Sequence, residues 1–145
     1  MKLQNLGKLT RNDFKAFLNS FDTVLTDCDG VLWIGSNNIS GSPDTMNKFK
    51  EIGKKVYYVT NNSTKTRAEF VEKFINLGYN ATKDDIVCTA YLAAMYLKSI
   101  NFKKKVYIVG SRGISQELDA IGIQHIGVGP DPLVGNAFSF VRDEL

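Results

Sequence analysis

Thr23-Val24-Leu25-Thr26-Asp27-Cys28-Asp29-Gly30 decides how the chain is read. Its first four residues are apolar or β-branched, which suits a short buried strand of a parallel sheet. Its last four place two carboxylates, Asp27 and Asp29, at the strand's carboxyl end with one residue between them and a glycine behind. In an extended chain, residues two apart point the same way, so both carboxylates face one small site if the backbone stays extended. Two like charges that close want a cation between them or a shared proton. Mg²⁺ is the hard, oxygen-seeking candidate, since it binds few protein carboxylates and retains water. One aspartate could then attack phosphorus as nucleophile while the other handles the proton. The plain alternative is a surface turn, because Asp and Gly are common turn residues. An EF-hand loop is excluded: Val31, Leu32 and Trp33 are apolar, and no glutamate stands where calcium chelation needs one.

A second strand-like run, Val56-Tyr57-Tyr58-Val59, leads into Thr60-Asn61-Asn62-Ser63-Thr64, a set of small hydroxyl and amide groups ahead of a helix. A helix N-terminus offers N–H groups and the positive end of a dipole, so it welcomes an anion. Alone, the run reads equally well as turn and capping residues. At the ends of two consecutive parallel strands, the two motifs together describe a metal-and-nucleophile cluster beside an anion cradle, the parts of a phosphoryl-transfer pocket.

The rest of the chain alternates strand and helix. Thr10 to Leu18 reads as a helix with Thr10 as N-cap and Asp13 near its positive end. Ser42-Pro43 opens a second helix with Ser42 as cap, an apolar face of Met46, Phe49 and Ile52, and Gly53 as its stop. Thr66-x-x-Glu69 is a capping box for a helix carrying Phe70, Val71, Phe74 and Leu77 on one side. Ile86 to Cys88 is a third strand, Ala90 to Leu97 a helix, Val106 to Val109 a fourth strand, Ser115 to Ile121 a helix and Ile123 to Val128 a fifth strand. Such alternation with short links predicts an α/β fold with a parallel sheet, whose chemistry lies beyond the carboxyl ends of the strands.

The 145 residues are one domain's worth, and 43% hydrophobic with 23% charged is ordinary for a globular protein. No apolar run reaches membrane-spanning length, and the first residues lack the apolar core of a secretory signal, so a cytoplasmic protein without a membrane association is expected. The net charge of +3 is small and scattered; its densest run, Lys103-Lys104-Lys105, reads as a solvated loop, and no nucleic-acid partner is expected. Cys28 and Cys88 form no CxxC pair, and His125 alone completes no zinc set and reads as structural. Arg67 and Arg112 could contact phosphates, though they read first as solvated surface arginines.

Asp27-Cys28-Asp29-Gly30-Val31-Leu32-Trp33 followed by Val59-Thr60-Asn61-Asn62-Ser63 closely resembles the haloacid dehalogenase superfamily, and more narrowly its 4-nitrophenylphosphatase, phosphoglycolate phosphatase and pyridoxal-phosphate phosphatase group. The similarity extends from about Leu18 to Gly135. It implies a Rossmann-like core and Mg²⁺-dependent hydrolysis of small phosphorylated metabolites, or of 4-nitrophenyl phosphate, through an aspartyl-phosphate. It also implies roles. Asp27 would be the nucleophile, and Asp29 would protonate the leaving group and then activate water. Asp27 and Asp29, the latter through its backbone carbonyl, would hold the Mg²⁺. Thr60 would hold the phosphoryl oxygens with Asn61 beside it, Asn62 would shape the pocket, and Gly30 would let the backbone turn toward the substrate. Cys28 would face away into the fold, and Trp33 would pack at a flap near the pocket or in the core.

Chains of that group are longer, and their later part supplies a lysine and a further acidic motif. On this reading residues 1–102 are the N-terminal part of a truncated catalytic core. Residues 103–135 begin the cap domain, with Val106 to Val128 its first strand–helix–strand, and 136–145 are a divergent tail. The cap is where full-length relatives form homodimers. Without the later groups the expected activity is feeble or absent, and the alternative is a truncated isoform acting as a non-enzymatic binding or regulatory subunit. A receiver-type phosphoacceptor is disfavoured because both aspartates lie on one strand. A plain α/β binding domain is disfavoured by the match at Thr60-Asn61-Asn62.

Overall fold

Strand and helix alternate as expected in the computed structural model, which describes residues 6–128. The elements are α1 (Arg11–Asn19), β1 (Thr23–Thr26), β2 (Trp33–Ile34), β3 (Asn37–Asn38), α2 (Ser42–Glu51), β4 (Lys55–Thr60), α3 (Arg67–Asn76), β5 (Ile86–Cys88), α4 (Thr89–Ser99), β6 (Val106–Tyr107), α5 (Arg112–Asp119) and β7 (His125–Ile126). The three-stranded sheet has the order β1–β4–β5. Two units are distinguishable: residues up to Thr60 with Lys73–Ile86, and Asn61–Glu72 with the residues from Val87 onward. No helix among the described residues is long and apolar enough to cross a membrane. The expected tail, residues 136–145, lies outside the described residues.

In the first unit β1 pairs with β4 in parallel, Thr23 opposite Lys55 through Thr26 opposite Tyr58. Val56, Tyr58 and Thr60 of β4 are buried, the period-2 signature of a strand with one covered face. Strand β1 departs from the expected burial: Leu25 is 69% exposed, and only Val24 and Thr26 are partly covered. A side chain on an edge strand is hidden only where another layer packs on its own face, which apolar composition cannot reveal. The core here is aromatic. Trp33, Tyr58 and Phe74 are fully buried and Tyr79 nearly so, with Phe74 central: its ring lies 4.8 Å from Trp33, 4.2 Å from Tyr58 and 5.4 Å from Tyr79. Rings that bury ~150–250 Å² each contribute roughly 4–6 kcal/mol apiece before entropy is subtracted.

Helix α1 has the anticipated cap, with Asp13 N–H on Thr10 Oγ1 at 3.2 Å and the aspartate returning to Thr10. Helix α2 corrects the reading of Ser42. Gly41 is its N-cap, and the buried Ser42 hydroxyl instead binds Leu32 O, Ile39 O and the Tyr79 hydroxyl. A serine before an apolar periodic run signals a cap only when nothing in the core competes for its hydroxyl. Ile52, expected on the apolar face, is 43% exposed. The β2–β3 hairpin pairs Trp33 with Asn38 and was not anticipated, since two-residue strands carry no alternation to detect.

In the second unit Ala94, Ile108, Leu118 and Ile123 form a buried cluster, flanked by Leu97, Phe102, Val106, Ile114 and Ile121. Strands β6 and β7 pair in parallel, Val106 with His125 and Tyr107 with Ile126. They are shorter than the expected four and six residues: Val109 is 88% exposed, and Gly127 leaves strand geometry at φ 74°. Helix α5 starts at Arg112 rather than Ser115, with Ser111 as N-cap. The Lys103–Lys105 run is exposed, as expected.

Candidate active site

Where β1 ends, the backbone curls tightly. Leu32 N–H donates to Cys28 O at 2.8 Å, and Gly30 N–H donates to Trp33 O at 2.8 Å. Gly30 supplies the φ of +82° that this curl needs; space is no constraint, since nothing lies within 4 Å of a Cβ placed there. Asp27 and Asp29 are exposed while Cys28 between them is fully buried, its Sγ 3.9 Å from Val59 O. The carboxylates therefore share the outer side of the strand end and the thiol takes the inner side. Burial, reinforced by the charges of Asp27 and Asp29, pushes the Cys28 thiol up to about 12. It stays protonated and is no nucleophile.

Each carboxylate is anchored. Asp27 Oδ1 accepts the Cys28 N–H at 2.7 Å. Asp29 Oδ1 accepts the Trp33 indole N–H at 2.7 Å and lies 3.8 Å from Lys73 Nζ. The lysine ammonium also sits 4.3 Å from the centre of the Trp33 ring. Trp33 thus belongs to the core and to the site at once. Lys73 escaped the sequence reading; its only signal is its place on α3 beside the buried Phe70–Phe74 stripe. Thr60, buried at the end of β4, lies in the same unit, two residues beyond Tyr58 as Cys28 lies two beyond its partner Thr26. The first unit holds Asp27, Asp29 and Gly30 at the end of β1 and Thr60 at the end of the neighbouring β4. As metal ligands, the exposed Asp27 carboxylate and the Asp29 backbone carbonyl fit a hard cation that keeps several waters, which leaves the Asp29 carboxyl for proton transfer. Among the described residues no cluster of three or more His, Cys, Asp or Glu stands ready for a metal.

Asn61 and Asn62 open the second unit. Asn61 O accepts the Thr89 hydroxyl at 2.8 Å, and Asn62 Oδ1 accepts the Thr64 N–H at 2.9 Å and its hydroxyl at 2.6 Å, a side-chain turn that fixes the loop. The N-terminus of α3 corrects the anion-cradle expectation. Thr66 N–H donates to Glu69 Oε2 at 2.8 Å, Arg67 N–H to Glu117 Oε1 at 2.8 Å, and Glu69 N–H to Thr66 Oγ1 at 3.2 Å. The chain's own carboxylates fill the place of an external anion. The Thr66 amide, against a smaller opposing effect of burial and helped by the Thr66 hydroxyl and Arg112, holds the Glu69 carboxyl below its ordinary value. Arg67 is also no surface arginine. Its side chain is 16% exposed, its guanidinium stacks 3.5 Å from the Tyr91 ring centre, and its Nε lies 3.9 Å from Glu117. Arg112 is exposed and pairs with Glu69 at 2.9 Å. His125 pairs with Asp119 at 2.9 Å, consistent with a structural role.

Comparison with known proteins places the chain in a family. The family described as haloacid dehalogenase-like hydrolase matches residues 24–124. The chain is 45% identical over 116 residues to phosphoglycolate phosphatase 1A of Arabidopsis thaliana, a chloroplastic protein, covering 79% of this chain and 32% of the relative. It is 39% identical over 143 residues to the 4-nitrophenylphosphatase of Schizosaccharomyces pombe, covering 85% of this chain and 48% of that one. Its structure is similar to that of a glycerol phosphate phosphatase from Mycobacterium tuberculosis in complex with magnesium, with a TM-score of 0.65 and 26% identity, covering 75% of this chain and 33% of the other. The chain thus spans between a third and a half of the length of the curated relatives it matches.

Proposed function

The chain belongs to the haloacid dehalogenase-like hydrolases, and on that premise we propose that Asp27 and Asp29 carry out hydrolysis of a small phosphomonoester. The observation that carries this reading is the strand-end loop, with both carboxylates outward and Cys28 inward.

In the first step an Asp27 carboxylate oxygen attacks phosphorus. The ester P–O bond breaks, and Asp29 gives its proton to the departing oxygen. In the second step Asp29 takes a proton from water, whose oxygen attacks the aspartyl-phosphate, releasing inorganic phosphate and restoring Asp27. Thr60 at the end of β4 donates to the phosphoryl oxygens. Gly30 keeps the backbone close to the substrate, and Asn61 and Asn62 take the substrate-binding roles that the family resemblance implies for them. Asp27 and the backbone carbonyl of Asp29 would hold Mg²⁺, which when bound would offset phosphoryl charge. The names of the relatives favour phosphoglycolate, glycerol phosphate or an aryl phosphate as the substrate class.

The test is hydrolysis of 4-nitrophenyl phosphate with and without Mg²⁺, by this chain and by Asp27→Asn. Turnover that needs Mg²⁺ and disappears in Asp27→Asn is expected. Turnover that survives the substitution sinks the nucleophile assignment. A folded chain that binds phosphate esters without turnover supports a regulatory subunit instead.

A further inference from the structure

We propose that Trp33, backed by Lys73, is the positioning residue that aims Asp29 at the leaving group. This rests on the reading of Asp29 as the group that moves the proton. The Asp29 side chain is 48% exposed on a loop, so packing alone does not fix it. What fixes it is the indole N–H on Oδ1 at 2.7 Å, together with the Lys73 ammonium 3.8 Å from the same oxygen.

Trp33 is suited to this. It is fully buried, edge-to-face on Phe74 at 4.8 Å, and its carbonyl is tied to Gly30 N–H at 2.8 Å. A tryptophan has a single donor, and a buried one usually spends it on a partner. Here that donor reaches out of the core to a half-exposed carboxylate. Lys73 lies over the ring face, 4.3 Å from its centre, and links the ring and the carboxylate through one cation. Asp29 therefore takes its orientation from the aromatic core. Because Oδ1 faces two donors, Oδ2 is the oxygen left open toward the substrate. A general acid works only when its proton lies within hydrogen-bond reach of the departing oxygen, and the Trp33 bond sets which oxygen that is.

The test uses leaving-group dependence. Phenyl phosphate and 4-nitrophenyl phosphate have nearly the same shape, but phenolate leaves poorly without a proton and 4-nitrophenolate leaves well. The kcat/KM of each reports transfer to Asp27. Trp33→Phe keeps a ring and removes the donor. It is expected to lower kcat/KM about thirtyfold for phenyl phosphate and about threefold for 4-nitrophenyl phosphate, within the range of general acid catalysis. Lys73→Met, which keeps the aliphatic stem, is expected to shift the ratio in the same direction and serves if Trp33→Phe fails to fold. Equal losses on the two esters in the variants of an active chain overturn the positioning role alone. Hydrolysis of neither ester by the unaltered chain overturns the phosphatase reading, and the positioning role with it. Trp33 is the chain's one tryptophan, so its emission gives a readout without turnover. It is expected to shift in Asp29→Ala, and an unchanged spectrum overturns the anchoring.

Discussion

Gly113→Ala sets helix propensity against packing. In a helix, alanine is favoured over glycine by up to about 1 kcal/mol, and Gly113 lies in the first turn of α5. Propensity alone therefore predicts a more stable protein. The tertiary structure predicts the opposite. A methyl at Gly113 would lie 2.5 Å from the Ser63 carbonyl oxygen, 2.8 Å from Lys65 N and 2.9 Å from Lys65 C. All three atoms belong to backbone, so no side chain can swing aside. Overpacking of this kind costs about 1–3 kcal/mol, and a rigid backbone neighbour puts it toward the upper end. The net expectation is a loss of about 1–2 kcal/mol. Urea unfolding followed by Trp33 emission measures it, with Gln116→Ala, an exposed site on the same helix, as the reference. The displaced loop is the one that carries Asn61 and Asn62, so KM for 4-nitrophenyl phosphate is expected to rise as well. A midpoint equal to or above that of the unaltered chain would refute the reasoning: α5 would then not be packed against residues 63–65.

Gly30→Ala is expected to cost about 1–2 kcal/mol through its left-handed backbone, with no contribution from a clash; a neutral melting shift would contradict it. Neither Cys28 nor Cys88 should react with an aromatic disulfide reagent at pH 8 in the folded chain, since burial raises both thiols, reinforced at Cys28 by Asp27 and Asp29 and at Cys88 outweighing the opposing Tyr91 backbone bond; labelling faster than unfolding would show that the core opens. For Asp85, burial raises the carboxyl, but bonds from Lys50 at 2.7 Å and from Thr82 outweigh it, and the net shift is downward. A depressed folded-state value stabilises above the unfolded value and is lost as pH falls through the folded one, so Lys50→Met should flatten the acid limb of stability below about pH 4. An unchanged acid limb would remove the pair from the account. Arg67→Lys should destabilise by about 1–2 kcal/mol, because lysine keeps the charge but loses the planar stack on Tyr91; full retention of the melting midpoint would argue that the stack contributes nothing.

Local signals account for what the sequence reveals about the fold. The Thr10 cap and the Thr66–Glu69 capping box are local backbone chemistry, and both form as expected, with Asp13 closing a further box at Thr10. β1 and β5 have the expected bounds because each is a short apolar run closed by a polar or helical signal. Within the candidate site, the inward turn of Cys28 between Asp27 and Asp29 follows from strand alternation alone. Reading failed where a residue's partner lies far along the chain. Ser42 looked like a cap but answers to Leu32 and Tyr79. Arg67 looked solvated but lies between Tyr91 and Glu117. The N-terminus of α3 looked ready for an anion but is closed by Glu69 and by the distant Glu117.

Period, spacing and local hydrogen bonding suffice to place the α/β alternation, the paired aspartates at the end of β1 and the polar run at the end of β4. Only the tertiary structure decided that Trp33 would serve both the core and Asp29, and that Lys73 would come from α3 to join them. Hydrogen bonds and charge contacts reach only a few ångströms, and which residues come within that reach is set by how the helices and strands pack rather than by their order in the chain.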